Sequence, residues 1–204
     1  MNTIKTSIII AVFSFSYPVF GQNKVIAKAF ETSYVFSAKD DYTNAISTLK
    51  KVYVANSYEM NLRLGWLSFM NSQSEQSISY YRKAIVVMPA ATEPRWALIN
   101  VYTVLENWVE VEKLYLSILK LDPKNELVHY KLGLIYYYRA DYLTAKKYFD
   151  VSLNMSPFGY DNMLMSAWTS YFLGNKNDAS VLFNKVLLYL PNDSSALQGL
   201  DLIK

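Results

Sequence analysis

The sequence predicts an all-α solenoid, a stack of repeated helix hairpins, and the spacing of its prolines is the main reason. Pro89, Pro123, Pro157 and Pro191 stand 34 residues apart, so three consecutive intervals are identical. A fixed period of this length is typical of helix–turn–helix repeats rather than of a globular enzyme core. Proline also suits the end of a helix, because it lacks an amide hydrogen and disfavours helical geometry in the preceding residue.

Small and bulky residues recur in the same phase. With each proline as position 32, position 8 holds Ser33, Gly65, Ile99, Gly133 and Ala167, position 20 holds Ala45, Ser77, Val111, Ala145 and Ala179, and position 24 holds Leu49, Tyr81, Tyr115, Phe149 and Phe183. Small residues at positions 8 and 20 allow the two helices of a hairpin to approach closely. The bulky residue at position 24 then fills the gap between neighbours.

The spacing of apolar residues predicts two amphipathic helices in each repeat, because these residues recur three and four positions apart in both halves of the repeat. The expected pairs are 24–38 with 42–54, 58–71 with 75–88, 92–105 with 108–121, 126–139 with 142–155, and 160–173 with 176–189. Pro94 falls in the first turn of its helix, where a missing amide hydrogen costs nothing. Position 20 steps by 32 residues from Ala45 to Ser77. A shorter loop is therefore expected after the first hairpin, which is interpreted as an atypical terminal repeat.

A single helix is expected after the last hairpin, at 193–203. Asp193 is a plausible N-cap, and one side of the segment carries Ala196, Leu197, Leu200 and Ile203. Such a helix would shield the final hairpin from water. Residues 22–204 are thus predicted to form one solenoid, with repeats near 26–57, 58–91, 92–125, 126–159 and 160–193.

The fourth copy carries the fullest motif, Leu132-Gly133-x2-Tyr136, Asp141-Tyr142-x2-Ala145-x3-Phe149 and Pro157. This pattern resembles the tetratricopeptide repeat family over about residues 24–191. The resemblance implies a right-handed α-solenoid of about five hairpins. Where the family has Trp, this copy has His129, and the third copy departs at Ile99 and Val111. The two helices of the third copy are therefore expected to lie slightly farther apart.

Residues 1–21 have the layout of a secretory signal peptide. Lys5 gives a positive start, Ile8 to Phe20 form an apolar stretch of about 13 residues, and Gly21 is a small residue before Gln22. The stretch is shorter than the ~20 residues that span a bilayer. An uncleaved anchor and a buried first helix are the alternatives. The signal peptide predicts an exported protein, periplasmic or secreted after cleavage. Because the chain has no cysteine, neither a lipid-modified lipoprotein nor a disulfide is expected.

Composition and motifs argue against nucleic-acid binding and against catalysis. Of 20 basic residues Lys5 alone lies in the leader, so 19 basic and 17 acidic residues remain, without a basic stripe. The chain has one histidine, His129, and no GxSxG, HExxH or P-loop. We interpret His129 as a packing residue, and Asp40, Asp41 and Asp141 as turn residues. No enzyme activity, cofactor or metal is expected.

The family resemblance also implies a binding surface. In the family, positions 5, 9 and 12 of the first helices line the concave face. The candidate groove residues at these positions are Phe30, Tyr34, Trp66, Phe69, Trp96, Asn100, Tyr130, Tyr137, Trp168 and Tyr171. Trp108 is expected at a hairpin turn outside the groove. Positions 5 and 9 carry no basic residue, so the carboxylate clamp of chaperone-adaptor members is not expected. An apolar stripe at helical spacing also fits a core, which is the alternative interpretation.

The preferred hypothesis is a noncatalytic protein-interaction scaffold in a bacterial-type cell envelope. Its aromatic groove would hold a protein or peptide through buried anchors. One alternative is a carbohydrate-handling accessory factor, for example in exopolysaccharide export, with a polysaccharide stacked on Trp or Tyr. Another is self-assembly by end-to-end stacking of solenoids past the short 193–203 cap. Contact with a membrane is expected only through a retained signal segment.

We predict cleavage between Gly21 and Gln22, because a small residue follows the short apolar stretch there. Intact-mass measurement on protein from cell fractions should find a chain that starts at Gln22 outside the cytoplasm. A cytoplasmic product that retains Met1, or an integral membrane product, would contradict this prediction.

Overall fold

The computed structural model describes residues 19–204, with side chains from residue 23. These residues form eleven helices and no strand: α1 Val19–Ser37, α2 Tyr42–Lys50, α3 Tyr58–Met70, α4 Ser74–Val87, α5 Glu93–Val104, α6 Trp108–Leu121, α7 Glu126–Tyr138, α8 Tyr142–Met155, α9 Tyr160–Phe172, α10 Lys176–Tyr189 and α11 Ser194–Ile203. All the predicted helices are found, although α2 ends at Lys50 rather than at residue 54. Most of the predicted signal peptide lies outside the described residues and stays a prediction. No described helix is long and apolar enough to cross a membrane.

The chain divides into two compact units after Val54. The division falls at the one interval where the repeat period breaks. In the N-terminal unit α1 packs on α2. Ser33, Ala45 and Leu49, at positions 8, 20 and 24, are fully buried there. The hairpin contact predicted from the period is therefore present in the first repeat.

In the C-terminal unit, Ala55–Lys204, each helix from α3 to α11 packs on the next one. In the second and fourth repeats, the ring at position 24 lies directly on the backbone of position 8. A Cβ added to Gly65 would lie 2.7 Å from the Tyr81 ring, and one added to Gly133 would lie 2.5 Å from the Phe149 ring. Glycine is therefore required at these two positions for the helices to approach as they do.

The last and the third hairpins show two variations of this contact. Gly199 of α11 packs on the Phe183 ring, so the last helix closes the final hairpin as expected. In the third repeat, Ile99 and Val111 are buried at positions 8 and 20. There α5 and α6 pack together less extensively than α3 with α4 or α7 with α8. This agrees with the wider third hairpin expected from these two residues, which stays a prediction.

All five hairpin turns use one backbone conformation. Position 15 has a positive φ in each of them, at Asp40, Ser72, Glu106, Ala140 and Gly174. In the fourth repeat, the next residue, Asp141, donates its N–H to the carbonyl of Tyr136 at 3.0 Å, and the other turns repeat this bond. This is a Schellman motif, which satisfies the last carbonyls of the first helix.

The acidic residues of these turns have structural roles. Asp41 and Asp141 accept hydrogen bonds from the backbone N–H groups of Asn44 and Thr144, both at 3.1 Å, as helix N-caps do. The bond from Thr144 lowers the pKa of Asp141 below its ordinary value. The interpretation of these aspartates as turn residues is confirmed.

We expect Gly133→Ala to lower the free energy of unfolding by ~1–3 kcal/mol, because its methyl group would overlap the fully buried Phe149 ring. Urea denaturation followed by circular dichroism measures the loss. A smaller residue, Phe149→Leu, should recover part of that loss when combined with Gly133→Ala. Strictly additive losses in the double variant would show that the two residues do not contact each other.

The turns offer a matched pair of backbone substitutions. Ala140 has φ 58°, which costs an L-residue roughly 1–2 kcal/mol, more than the ~0.5–1 kcal/mol of extra entropy that glycine loses. Ala140→Gly should therefore raise the urea midpoint. Gly174→Ala should lower it, although a Cβ there would meet nothing within 4 Å. Equal midpoints in all three proteins would mean that the turn conformation is not strained.

Candidate functional site

The ten candidate groove residues are neither fully buried nor fully exposed as a set. Phe30 and Tyr34 lie in the N-terminal unit, with their rings 6.5 Å apart, and the other eight lie in the C-terminal unit. Tyr34, Trp66 and Asn100 are exposed, whereas the remaining residues are half-buried: Phe30, Phe69, Trp96, Tyr130, Tyr137, Trp168 and Tyr171.

Several of these rings also stabilise the packing of the helices. Trp96 meets Tyr115 edge-on, with centroids 5.8 Å apart. Trp168 donates its Nε1–H to Ser195 of α11 at 2.8 Å, and its ring centroid lies 5.0 Å from that of Phe183. Trp66 is the most exposed of the three tryptophans at 37 %, and the Arg63 guanidinium lies 4.6 Å from its ring centroid. The expected single surface of three tryptophans therefore combines one accessible ring with two that hold neighbouring helices together.

Three candidate residues from two repeats meet at one exposed ring, Phe172. Its centroid lies 6.0 Å from Tyr137, 6.2 Å from Trp168 and 5.3 Å from Tyr171. Tyr142 stacks on the same ring at 4.6 Å. The structure thus brings together Tyr137, Trp168 and Tyr171 around a residue that was not predicted to belong to the surface.

Phe172 belongs to a stripe that can be read from the repeat but was missed. Position 13, the last residue of each first helix in the C-terminal unit, is apolar and exposed in four successive repeats. We call this set the position-13 stripe: Met70 at 42 %, Val104 at 67 %, Tyr138 at 79 % and Phe172 at 46 %. The signal is again the 34-residue spacing. It was overlooked because positions 5, 9 and 12 are those that the family uses.

A cleft of about 610 Å³ opens between the third and fourth repeats. It is lined by Thr103 of α5, Trp108 and Tyr115 of α6, Lys131, Leu134, Ile135 and Tyr138 of α7, and Arg139. Tyr115 and Ile135 are buried and form its floor, whereas Trp108 and Tyr138 are exposed at its rim. This volume lies within the range of ligand sites in proteins, about 300–1,000 Å³.

Trp108 follows a hairpin turn, as predicted, and it also lines this cleft. There the first residue of α6 lies beside α7 of the next hairpin, and the sequence of one repeat does not show that neighbour. The expectation that Trp108 lies outside the concave groove stays a prediction.

The two cations of the cleft differ in whether a carboxylate lies beside them. Arg139 pairs with Glu112, which also accepts a hydrogen bond from the Tyr136 hydroxyl. Burial raises the pKa of Glu112, but the hydrogen bonds from Tyr136 and Arg139 outweigh burial and hold this pKa below its ordinary value. The hydrogen bond between Tyr136 and Glu112 raises the pKa of the Tyr136 hydroxyl to about 12. Lys131 has no carboxylate within 4 Å among residues 23–204, and its ammonium lies 5.7 Å from the Tyr130 ring centroid.

Position 4, where the family motif has Trp, carries polar residues with a structural role in the second, third and fourth repeats. Asn61 donates its Nδ2–H to the carbonyl of Ala55 at 2.7 Å, and Arg95 donates to the carbonyl of Ala91. His129 Nε2 lies 3.0 Å from the carbonyl oxygen of Pro123. Each side chain therefore holds the loop that precedes its own helix, and His129 is a structural residue. No three His, Asp or Glu side chains in residues 23–204 are arranged to hold a metal ion.

Comparison with solved structures identifies the fold. A tetratricopeptide repeat protein from Parabacteroides merdae ATCC 43184 matches with a TM-score of 0.69 and 20 % identity, over 88 % of this chain and 72 % of that chain. MamA matches with 0.65 and 19 %, over 81 % and 91 %. YrrB, described as a tetratricopeptide repeat protein with an unusual peptide-binding site, matches with 0.65 and 14 %, over 88 % and 94 %.

This chain has the tetratricopeptide repeat fold. The all-α solenoid predicted from the proline period is therefore confirmed. No protein-family model matches the chain. By sequence, an uncharacterized protein, ycf37 of Cyanophora paradoxa, is 32 % identical over 72 residues, which are 35 % of this chain and 42 % of that protein. The chain thus spans about two fifths of the length of that relative.

Proposed function

We propose that the chain is a noncatalytic scaffold that binds a protein or peptide partner on the exposed aromatic surface of its C-terminal unit. The observation that carries this proposal is the position-13 stripe. Scattered exposed apolar residues are normal in soluble proteins, but contiguous apolar patches usually mark interaction sites. Here the half-buried Tyr142 ring of the fourth repeat stacks on the exposed Phe172 of the fifth at 4.6 Å, and the exposed Trp108 and Tyr138, from the third and fourth repeats, line one cleft.

The fold is compatible with such a role. Solenoid repeats present extended surfaces on a rigid framework, which limits the conformational entropy lost on binding. YrrB, which has a similar fold, is described as having a peptide-binding site. The aromatic rings of this chain are partly fixed by their own packing, as Trp96 is by Tyr115. Rings held in this way are already oriented before a partner arrives.

We place this scaffold in the cell envelope. The support is the leader-like composition of residues 1–21, which carry one charged residue and an apolar stretch too short to span a bilayer. A periplasmic or secreted protein would meet its partner after cleavage. The absence of cysteine is compatible with an oxidising compartment.

The proposal predicts different outcomes for the tryptophans. Trp66→Ala should stay folded, since the ring is 37 % exposed, and should weaken partner binding about thirtyfold, as loss of an interface anchor of ~2 kcal/mol does. Trp168→Ala should instead lower the melting temperature, because it loses the bond to Ser195 and the contact with Phe183. The mature chain would be used to isolate a partner from envelope extract, and affinities would then be measured by titration.

Tyr189→Ala provides the control, because Tyr189 is 55 % exposed but lies at the end of α10, away from the cleft and the position-13 stripe. Its affinity for the partner should match that of the wild type. If envelope extract yields no saturable protein partner, the proposed function is wrong. A partner that binds Trp66→Ala normally would leave the scaffold role but remove Trp66 from its surface.

A further inference from the structure

We infer that the cleft between α5, α6 and α7 binds a peptide segment in which a bulky apolar side chain stands next to a carboxylate. This inference rests on the proposed function, because it names the ligand chemistry of one part of the binding surface. It joins three observations: an apolar floor, an aromatic rim and one uncompensated cation.

The floor accounts for the apolar side chain. Tyr115 is 7 % exposed and Ile135 is 9 % exposed, and Leu134 lines the cleft beside them. A cavity of about 610 Å³ above such a floor can take more than one bulky side chain, and filling it removes apolar surface from water. The floor is held in place, because the Trp96 ring packs edge-on against the Tyr115 ring, with centroids 5.8 Å apart.

The two aromatic residues at the rim would contact the part of the peptide that flanks its apolar side chain. Trp108 is 49 % exposed and Tyr138 is 79 % exposed, although both are aromatic and both line the same cleft. Aromatic side chains supply large contact areas for little conformational entropy, which is why they are frequent anchors of interfaces. A segment lying between these two rings would be covered on both sides.

Charge accounts for the carboxylate. Arg139 is already neutralised by Glu112, and Glu112 is itself occupied by Arg139 and Tyr136. Lys131 is the cleft residue whose charge is left without an ion-pair partner in the described part of the chain. A ligand carboxylate would complement the charge of Lys131, whereas a basic ligand would be repelled by it. Lys131 lies next to the apolar floor, so the carboxylate must be close to the apolar side chain.

The same lining favours a peptide over a sugar chain. Apart from the two cations, the polar side-chain groups of the cleft are the hydroxyls of Thr103, Tyr115 and Tyr138 and the indole N–H of Trp108. A sugar would bring many hydroxyl groups against an apolar floor, and polar groups buried without hydrogen bonds are unfavourable. A peptide with one apolar anchor needs few such partners.

The test is selection from a library of random octapeptides displayed on phage, with the mature chain immobilised and physiological salt. The wild type should enrich an aromatic residue, Leu or Met within two positions of Asp or Glu. Lys131→Glu should replace the acidic preference by Lys or Arg, and Lys131→Arg should retain it. The exposed Lys185 on α10 provides the control, and Lys185→Glu should select the wild-type motif.

Affinities of one selected peptide then locate the site. Trp108→Ala should weaken its binding at least about tenfold, and the more exposed Tyr138→Ala should do the same without loss of thermal stability. Either variant would show the effect if the other proved unstable in a melting experiment.

The outcomes separate this inference from the proposed function. One contrary result is that selected peptides bind Trp66→Ala weakly but bind Trp108→Ala, Tyr138→Ala and Lys131→Glu as tightly as the wild type. That result would show that the cleft is not the peptide site and would leave the scaffold role. A selected motif without acidic residues would show that the ligand needs no carboxylate. Failure to select any peptide would also overturn the inference, while isolation of a partner from envelope extract decides the proposed function independently.

Discussion

In the second and fourth repeats, an aromatic ring at position 24 lies on the bare backbone of a glycine at position 8, and the rest of the hairpin depends on that contact. The Phe149 ring occupies the space that a Cβ of Gly133 would take. This contact brings the two helices of the second and fourth hairpins together, whereas position 8 holds Ser33, Ile99 and Ala167 in the other copies. Gly199 of α11 packs on Phe183, the position-24 ring of the preceding hairpin, so the last helix covers that hairpin.

The candidate ligand site lies beside the repeat that departs from this rule. Ile99 and Val111 fill the space that small residues leave free elsewhere, and α5 and α6 pack less extensively as a result. Tyr115, the ring at position 24 of this repeat, forms part of the floor of the cleft. Departures from local rules are expected at functional sites, where the sequence serves a second purpose. Ile99 and Val111 thus connect the packing of the core to the shape of the surface.

The sequence was sufficient for the helices and turns but only partly so for the surface. Burial and close contact act within one hairpin, so the period alone predicts Gly133, Ala145 and Phe149 as core residues. The exposure of Trp108 depends on α7 in the next hairpin, which one repeat does not contain. Trp168 was ambiguous for the same reason, because its partner Ser195 lies in α11.

Packing explains why positions 8, 20 and 24 are small or apolar, but it does not explain position 13. Its residues are exposed by 42 % to 79 %. Each exposed apolar side chain loses about 25 cal/mol for every Å² that stays in water. Phe172 packs on Tyr137 and Tyr142, yet 46 % of it stays in water. A partner that covers the stripe would recover that free energy. The apolar residues that the fold leaves uncovered are therefore those that best indicate where the proposed partner binds.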